Sequence, residues 1–456
     1  MTQPRRTKDH SWNAPRWKGI TRPYTHADVD RLKGTVQVEY SLARAGAEKL
    51  WKLLRSESYI PALGALSGSQ AVEMAQAGLK AIYLSSCQLA GDTGRMFHEQ
   101  GFPAAGSVPA TVRAVNYALL RADQLSHSEG RRGFDWMLPL VADAEAGAGG
   151  NMNCFESTRS MIEAGAAAVH FDDQLPAARK CGHASTKVLI PTEETIQKLV
   201  AARLAADTMG VPTIIIARTD ADSASFVSSD HDTRDRRFLT GERSPEGFHV
   251  YRGGLQAAIA RALAYAPYAD LLWCETSDLN LQQAREFANA VHARYPGKML
   301  AYNCSPSFHW RAKLNEDDIA CFQRDLASMG YRFQFITLAG YYTLNLSMYQ
   351  FAKDYLSSGM TAYSRVQQLE LEMLGQLGHG KVRTRRLTGA SYFDAVASAI
   401  SNGHESASTV PDSAKAAEFE LDGVDYNDGE ATERIPMPHL YPSLESMPLA
   451  STAAND

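Results

Sequence analysis

The chain has 456 residues, of which 45% are hydrophobic and 21% charged, so it can bury a large core; its net charge of -5 comes from 46 basic and 51 acidic residues. The sequence contains neither a basic block, which argues against a nucleic-acid partner, nor an apolar run of about 20 residues, which argues against a membrane span. Its polar N-terminus, MTQPRRTKDHSW, lacks the apolar segment of a secretory signal, and its six cysteines form no CxxC pair, so we expect a reducing, cytoplasmic location without a disulfide framework or structural zinc.

The predicted elements follow one another in a regular rhythm after an N-terminal helical segment, residues 1–60. Short, almost continuous apolar runs alternate with helical stretches, which is typical of a parallel sheet. Eight strands are predicted, at 62–70, 81–86, 139–147, 167–174, 212–221, 270–277, 298–307 and 332–340. This number favours an α/β fold, a (β/α)8 TIM-type barrel over residues 61–340, with the active site at the carboxyl ends of the strands.

Three segments depart from this rhythm. Residues 222–254 are charged and rich in turn residues, so we expect a small surface insertion, most simply a solvated loop. Residues 341–400 are predicted to form C-terminal helices. Ser, Ala, Asp and Pro dominate after them, so residues 401–456 are predicted to be a loosely ordered tail.

Carboxylates gather at the ends of three predicted strands. Asp143 and Glu145 lie two residues apart, so both side chains point to one face. Asp172 and Asp173 follow the next strand, and Glu275 ends a later one. Five carboxylates on one face would repel one another unless a cation neutralised them, and oxygen ligands suit Mg²⁺ or Mn²⁺. The alternative is that each carboxylate caps a helix or pairs with a base.

A second set of polar residues suits an anion. A guanidinium beside amide and hydroxyl donors can bind a substrate that carries carboxylates. The set, which also lies at predicted strand ends, is Arg218, Asn303, Ser305, Ser307 and Thr337. The alternative is ordinary capping by the small polar residues and a structural ion pair at the arginine.

Cys181 lies between Lys180 and His183 in the stretch KCGH. If these cations surround the thiol, they lower its pKa and make it a useful proton donor or acceptor near neutral pH. The alternative is a small buried hydrophobe, and the local sequence leaves both interpretations open. A metal, an anion clamp and a proton-transferring thiol together favour cleavage of a carbon–carbon bond in a hydroxy acid or keto acid.

These stretches resemble the isocitrate lyase family. The shared motifs are KCGH followed by KVLIPT, VADAEAG, IARTDA, TGER, LAYNCSPSF and FQFITLAG, in matching order over roughly residues 10–400. The resemblance implies the phosphoenolpyruvate mutase/isocitrate lyase superfamily of (β/α)8 barrels. It further implies cleavage of isocitrate to succinate and glyoxylate in the glyoxylate cycle, Mg²⁺ or Mn²⁺ as cofactor, and a homotetramer with exchanged helices.

The resemblance also implies roles for individual residues. Cys181 is implied as the thiol that protonates the departing succinate carbanion, with His183 as its electrostatic partner. Either Tyr83 or Glu275 is implied as the group that removes the hydroxyl proton, and Lys180 remains a candidate catalytic residue from its place beside Cys181. The implied metal site consists of Asp143, Glu145, Asp172 and Glu99. The implied di- or tricarboxylate site consists of Ser85, Ser86, Cys87, Gly182, Arg218, Asn303, Ser305, Ser307 and Thr337.

The chain is a divergent member by this resemblance. Four replacements lie in the site motifs: Ser86 for Gly, Cys87 for Trp, Ala148 for Phe and Arg179 for a common Lys. Other exchanges affect Glu99, Asp172 and the pair Ser185-Thr186. Loss of two aromatic rings could admit a bulkier substrate, so a lyase for 2-methylisocitrate or another 2-alkylisocitrate is the first alternative. A catalytically silent homologue that binds dicarboxylates is the second.

Overall fold

The computed structural model describes residues 12–94, 96–97, 100–101, 106–130, 132–180, 186–376 and 390–402. Its strands are β1 (Ile60–Gly64), β2 (Ala81–Leu84), β3 (Met96–Phe97), β4 (Gln100–Gly101), β5 (Leu140–Asp143), β6 (Ala168–Phe171), β7 (Lys187–Leu189), β8 (Ile214–Thr219), β9 (Ala224–Val227), β10 (Leu239–Arg243), β11 (His249–Tyr251), β12 (Leu271–Cys274), β13 (Met299–Asn303) and β14 (Tyr331–Ile336).

The α-helices of the described residues lie between and around these strands. They are α1 (His26–Leu32), α2 (Ser41–Ser56), α3 (Gly68–Gln76), α4 (Ser86–Asp92), α5 (Ser107–Ser128), α6 (Asn151–Ala164), α7 (Thr192–Thr208), α8 (Leu255–Tyr265), α9 (Leu281–Arg294), α10 (Trp310–Lys313), α11 (Glu316–Ser328), α12 (Ala339–Ser358), α13 (Met360–Gln376) and α14 (Ala390–Ile400).

Eight parallel strands close into a barrel in the order β1-β14-β13-β12-β8-β6-β5-β2. Strand β1 pairs with both β14 and β2, which completes the ring. Strands β2, β5, β6, β8 and β12 are buried along their whole length, because helices cover the outside and side chains fill the inside. Each barrel strand overlaps one of the eight predicted segments, so the predicted (β/α)8 barrel is confirmed.

A layer of four rings fills the barrel interior. Tyr83, His170, Trp273 and Phe335 come from β2, β6, β12 and β14, which are alternate strands around the ring. Their neighbouring centroids lie 4.4 to 5.7 Å apart. Four side chains contributed by alternate strands are the usual packing unit of this barrel type. One member of the layer contacts the strand ends, because His170 Nε2 lies 3.3 Å from Asp143 Oδ1.

The predicted insertion is more ordered than expected. Instead of a solvated loop, residues 222–254 contain β9, β10 and β11, which join β7 in a four-stranded sheet of order β10-β11-β9-β7. Strand β9 pairs in parallel with β7 and antiparallel with β11. The rings of Phe238 and Tyr251 pack 5.6 Å apart beside this sheet. Short apolar runs within the charged segment therefore find partners that local sequence does not reveal.

The extensions outside the barrel are helical where they are described. Helix α2 buries Ala43, Ala47, Leu50 and Leu54 against the barrel end. Helices α12 and α13 follow β14 and carry many exposed apolar side chains. Residues 403–456, most of the predicted tail, lie outside the described residues. Among the described helices, none has the length and apolar character needed to cross a membrane.

Candidate active site

Three predicted metal ligands converge on one guanidinium. This carboxylate cluster consists of Asp143, Glu145 and Asp172, and Arg179 lies between them. Arg179 contacts Asp172 Oδ2 through Nε at 2.7 Å, Glu145 Oε1 through Nη1 at 3.3 Å and Asp143 Oδ1 through Nη2 at 3.7 Å. Burial disfavours the charge of Arg179, but Asp172, Asp143 and Glu145 outweigh it and raise its pKa. The structure thus brings these three carboxylates together.

Asp143 ends β5 and is the most heavily hydrogen-bonded member of the cluster. Its Oδ2 accepts from the Ser86 hydroxyl at 2.7 Å and the Ser86 N–H at 3.1 Å, and its Oδ1 accepts from the Glu145 N–H at 2.9 Å. Burial would raise the pKa of Asp143, but His170, Arg179 and these donors lower it to about 2. The carboxylate is therefore ionised at neutral pH. Ser86, which stands where the family usually has glycine, fixes its orientation.

The loop after β5 uses backbone conformations that are rare outside glycine. Glu145 has φ +55° and Ala148 has φ +53°. Such left-handed conformations are sparsely populated for residues with a side chain and concentrate at functional sites. Burial raises the pKa of Glu145, and the Arg179 guanidinium offsets part of that effect. Ala148 itself is exposed, at the rim of the loop.

Several predicted residues lie outside the described residues: Glu99, Cys181, Gly182 and His183. Their neighbour Lys180 is described. The Lys180 ammonium donates to Thr186 Oγ1 at 2.6 Å, and its backbone exchanges two hydrogen bonds with the Gln174 side chain, at 2.9 and 3.0 Å. The strand end at Gln174 thus fixes the chain just before Cys181.

Within the described residues, no group of three or more His, Cys, Asp or Glu side chains is arranged to hold a metal ion. The carboxylate cluster nevertheless fits a divalent cation in charge and donor type. Its oxygens are hard ligands that suit Mg²⁺ or Mn²⁺, and they already converge on one positive group. Asp143, Glu145 and Asp172 are the residues that could hold the ion.

The predicted anion site centres on Arg218, at the carboxyl end of β8. Its guanidinium forms a bidentate pair with Asp220, with both distances 2.8 Å, and lies 4.6 Å from the centroid of Trp273. Lys187 Nζ also donates to Asp220 at 2.6 Å. Part of the charge of Arg218 is therefore already used within the protein, as the structural alternative anticipated.

Glu275 and Asn303 lie beside Arg218. Glu275 Oε1 accepts from Asn303 Nδ2 at 3.2 Å and lies 3.7 Å from Arg218 Nη2. Glu275 Oε2 and Asn303 Oδ1 are buried without a hydrogen-bond partner among the described residues. Buried polar atoms are normally satisfied, so a pair of unsatisfied oxygens at strand ends suggests that a ligand completes them.

The smaller predicted donors have mixed surroundings. Ser85 caps α4, because its hydroxyl accepts from the Gln88 N–H at 3.3 Å. Ser305 is buried and accepts from the Ser307 N–H at 3.2 Å, whereas Ser307 itself is exposed. Thr337 is buried at the end of β14, and a side chain at Gly64 would meet its carbonyl oxygen at 2.0 Å.

Asp173 belongs to a different group of residues from Asp172. Its carboxylate accepts from the Thr219 hydroxyl at 2.7 Å, the Asp220 N–H at 2.8 Å, the Tyr265 hydroxyl at 3.0 Å and Arg261 Nη1 at 3.1 Å. We call Asp173 with Thr219, Arg261 and Tyr265 the anchor network. Asp173 was counted among the five predicted carboxylates, and its inclusion there was wrong because its donors are all structural.

His170 is a site residue that the sequence analysis missed. It is fully buried, and its Nε2 lies 2.7 Å from the Tyr83 hydroxyl and 3.3 Å from Asp143 Oδ1. Burial lowers the pKa of His170 and raises that of Tyr83 well above its usual value. A signal existed: His170 precedes Asp172 by two residues on one strand, so both side chains share a face.

The cysteines differ in oxidation state. Cys87 is disulfide-bonded, and its Sγ lies 3.9 Å from Arg179 Nη1. The free thiols of the described residues are Cys154, Cys274, Cys304 and Cys321, and the remaining cysteine, Cys181, lies outside those residues. A disulfide at Cys87 runs against the expectation of reduced cysteines throughout the chain.

Comparison with known proteins points to one family. The profile of the isocitrate lyase family matches residues 6–246 and 242–417. The isocitrate lyase of Halalkalibacterium halodurans is 53% identical over 414 residues, which cover 90% of this chain and 97% of that protein. That of Escherichia coli strain K12 is 51% identical over 421 residues, with the same coverage. Isocitrate lyase 1 of Mycobacterium tuberculosis is 49% identical over 390 residues, covering 85% and 91%.

A solved structure supports the fold alone. The chain is similar to an oxaloacetate acetylhydrolase solved in complex with the inhibitor 3,3-difluorooxalacetate, with a TM-score of 0.53 at 20% identity. The match covers 79% of this chain and 98% of the other.

Proposed function

The chain belongs to the isocitrate lyase family, and we propose that it cleaves isocitrate to succinate and glyoxylate, as an oxo-acid lyase of the glyoxylate cycle. The observation that carries this proposal is the identity of 53% to an isocitrate lyase over 97% of that protein's length. The carboxylate cluster and the unsatisfied oxygens of Glu275 and Asn303 support it, because they lie at the strand ends where a barrel enzyme binds its substrate.

Arg218 and the amide and hydroxyl donors are proposed to hold the substrate carboxylates. Ser85 and Arg218 are proposed for the glyoxylate side, and Asn303, Ser305, Ser307 and Thr337 for the succinate side. Ser86, Cys87 and Gly182 are the other proposed substrate contacts. Arg218 keeps its two hydrogen bonds to Asp220, so its guanidinium has a fixed orientation when the substrate binds. The orientation of the substrate then depends on a preformed site.

Proton transfer is proposed to begin at Glu275. Its Oε2 lacks a partner among the described residues, whereas burial raises the pKa of Tyr83 and keeps that phenol protonated. Glu275 takes the proton of the substrate hydroxyl, and the oxygen electron pair forms the carbonyl of glyoxylate. The electron pair of the broken carbon–carbon bond passes to the succinate carbon, which receives a proton from Cys181, flanked in sequence by Lys180 and His183. This step uses Cys181 in its reduced, thiol form, so the reaction is proposed for the enzyme with the disulfide of Cys87 reduced.

The proposed cofactor is a divalent cation, Mg²⁺ or Mn²⁺, held by Asp143, Glu145, Asp172 and Glu99. When bound, it would supply Lewis-acid polarisation of substrate oxygens and stabilise the charge that develops on them. Asp143 is well suited as a direct ligand, because its carboxylate is ionised and oriented by Ser86.

The test is a direct assay of the purified protein. Incubation with Mg²⁺ and threo-isocitrate in the presence of a thiol reductant should release glyoxylate, trapped as its phenylhydrazone, and succinate in equal amounts. Cys181→Ser should abolish the reaction while leaving the fold intact. If an established isocitrate lyase forms glyoxylate under the same conditions and this chain does not, the proposal is rejected.

A second candidate is a lyase for 2-methylisocitrate or another 2-alkylisocitrate. Cys87 and Ala148 favour it, since both are smaller than the aromatic residues usual in the family. A methylene contributes only about 1–3 kcal/mol of discrimination, so kcat/KM must be compared for both substrates on one preparation. A higher kcat/KM for the alkylated substrate, with pyruvate or a longer 2-keto acid as product, would select this candidate. The silent dicarboxylate-binding homologue is not favoured, because relatives at about half identity are lyases.

We further propose a cytoplasmic homotetramer in which helices are exchanged between neighbouring subunits. The support is the apolar surface of α12 and α13, where Tyr349, Leu356 and Met360 are 68%, 88% and 64% exposed. A monomer rarely leaves so many large apolar side chains in water. Light scattering coupled to size-exclusion chromatography should give four times the chain mass, and a monomer mass would contradict the proposal.

A further inference from the structure

We propose that Arg179 is a positioning residue that occupies the place of the divalent cation in the metal-free enzyme, so that metal binding requires its guanidinium to leave the carboxylate cluster. This inference rests on the proposed metal dependence. It concerns a residue for which the family resemblance implies no role.

The contacts of Arg179 are those of a substitute cation. Within the described residues it is the only cation paired with Asp172 and Glu145, and it also reaches Asp143. Its side chain is 7% exposed, and those of Asp143 and Asp172 are 3% and 0% exposed. Glu145 is 23% exposed, so two buried carboxylates and one partly buried carboxylate would repel one another without a positive group between them. Arg179 therefore stabilises the arrangement that a metal would need.

The planar guanidinium explains why arginine suits this position. Its nitrogens contact the three carboxylates from different directions, through Nε, Nη1 and Nη2. A lysine ammonium is a single point of charge and could not satisfy all three at these distances. One positive charge also balances only one of the three carboxylates. The cluster is thus held in shape but keeps negative charge for a divalent ion.

The backbone next to Arg179 is fixed independently. Lys180 N–H donates to Gln174 Oε1 at 2.9 Å, and Gln174 Nε2 donates to the Lys180 carbonyl at 3.0 Å. Arg179 can therefore leave the cluster by rotation of its side chain while these two hydrogen bonds persist. Cation and guanidinium compete for the same oxygens, which lowers the apparent affinity of the wild-type protein for metal.

The experiment measures binding of Mn²⁺ alone to the purified full chain, from the electron paramagnetic resonance signal of free Mn²⁺. Arg179→Gln removes the competing charge, so Mn²⁺ should bind at least about tenfold tighter than to the wild type, because charge-assisted hydrogen bonds no longer compete. The Mn²⁺ affinity of Arg179→Lys should lie between those of the wild type and Arg179→Gln. Arg234→Gln, which removes an arginine paired with Asp232 and Glu193 far along the chain, should bind as the wild type does.

Thermal unfolding gives a second readout. Arg179→Gln should lower the Tm of the metal-free protein, and Mn²⁺ should raise its Tm more than that of the wild type. If the glutamine variant does not fold, the lysine variant carries the comparison. Asp143→Asn should abolish Mn²⁺ binding and so locate the ion.

Equal or weaker Mn²⁺ binding by a folded Arg179→Gln variant would overturn the inference, as would a wild type and variants that all fail to bind. The outcome is separable from the proposed reaction. Tighter binding without glyoxylate formation would keep the inference and reject the substrate. Glyoxylate formation by the wild type, together with an unchanged Mn²⁺ affinity of Arg179→Gln, would support the substrate and reject the inference.

Discussion

Asp172 and Asp173 are adjacent and both fully buried, yet they belong to regions with opposite properties. Asp173, in the anchor network, accepts from two hydroxyls, a backbone N–H and a guanidinium. Asp172, in the carboxylate cluster, accepts from Arg179 and one backbone N–H, at 2.7 and 3.3 Å. A saturated carboxylate supports the fold, whereas one held by a single side chain can exchange that partner for a ligand.

The largest expected effect separates these regions by stability. Asp173→Ala leaves Arg261, Tyr265 and Thr219 without their shared acceptor, so the free energy of unfolding should fall by about 3–5 kcal/mol. Asp172→Ala should cost clearly less, because it also relieves repulsion within the carboxylate cluster. Denaturant midpoints at one protein concentration give the comparison. Equal losses of unfolding free energy in the two variants would contradict the distinction between the anchor network and the carboxylate cluster.

For activity we expect the opposite order: a substitution in the carboxylate cluster should have a larger effect than one in the anchor network. Asp143→Asn keeps the shape of the side chain but removes its charge, so kcat/KM for isocitrate should fall at least about 100-fold, equivalent to about 2.7 kcal/mol. Its denaturant midpoint should change less than that of Asp173→Ala. Full activity of Asp143→Asn would exclude this carboxylate from the reaction.

The pH dependence of stability sharpens the comparison within the cluster. The pKa of Asp143 is lowered to about 2 from a usual value of 3.8, so its contribution is present above about pH 4 and disappears as the pH falls towards 2. The contribution is on the order of 2 kcal/mol. Denaturant titrations of the metal-free protein should therefore give a steeper loss of stability below pH 4 for the wild type than for Asp143→Asn. Parallel curves would contradict the lowered pKa.

The smallest expected difference between the two regions concerns the oxidation state of their cysteines. Cys87, beside the carboxylate cluster, is disulfide-bonded, whereas Cys274, near the anchor side, is a free thiol whose pKa burial raises well above its usual value. Alkylation of the denatured protein without reductant should modify Cys154, Cys274, Cys304 and Cys321 but spare Cys87. Peptide mass spectrometry after reduction should then find Cys87 modified. Alkylation of Cys87 before reduction would contradict its oxidised state.

Sequence patterns predicted the barrel and part of the candidate active site. Eight apolar runs sufficed for the barrel, because parallel strands are buried on both faces. Asp143, Glu145 and Asp172 could be grouped because their strand ends meet at one rim. Asp173 was misassigned because one step along the chain turns its side chain towards Arg261, which lies 88 residues away in sequence.

The remaining features depend mainly on contacts between residues that are distant in sequence. His170 could be placed on the face of Asp172 from its spacing, but its contacts with Tyr83 and Asp143 depend on β2 and β5 lying close to β6. The sequence analysis identified Arg179 only as a replacement for a common Lys, and its contacts with the carboxylate cluster appear only in the structure. The sheet of β9, β10 and β11 needs β7 as its partner, so its charged sequence predicted a loop.

The most direct test of the proposed function offers threo-isocitrate and 2-methylisocitrate at equal concentration to the Mg²⁺-loaded protein and identifies the keto acids by mass. Competing substrates report the ratio of kcat/KM in a single reaction. We predict that glyoxylate forms in excess of pyruvate, and that Asp143→Asn forms neither. Pyruvate in excess of glyoxylate, or no keto acid from the wild type, would contradict the assignment of isocitrate as the substrate.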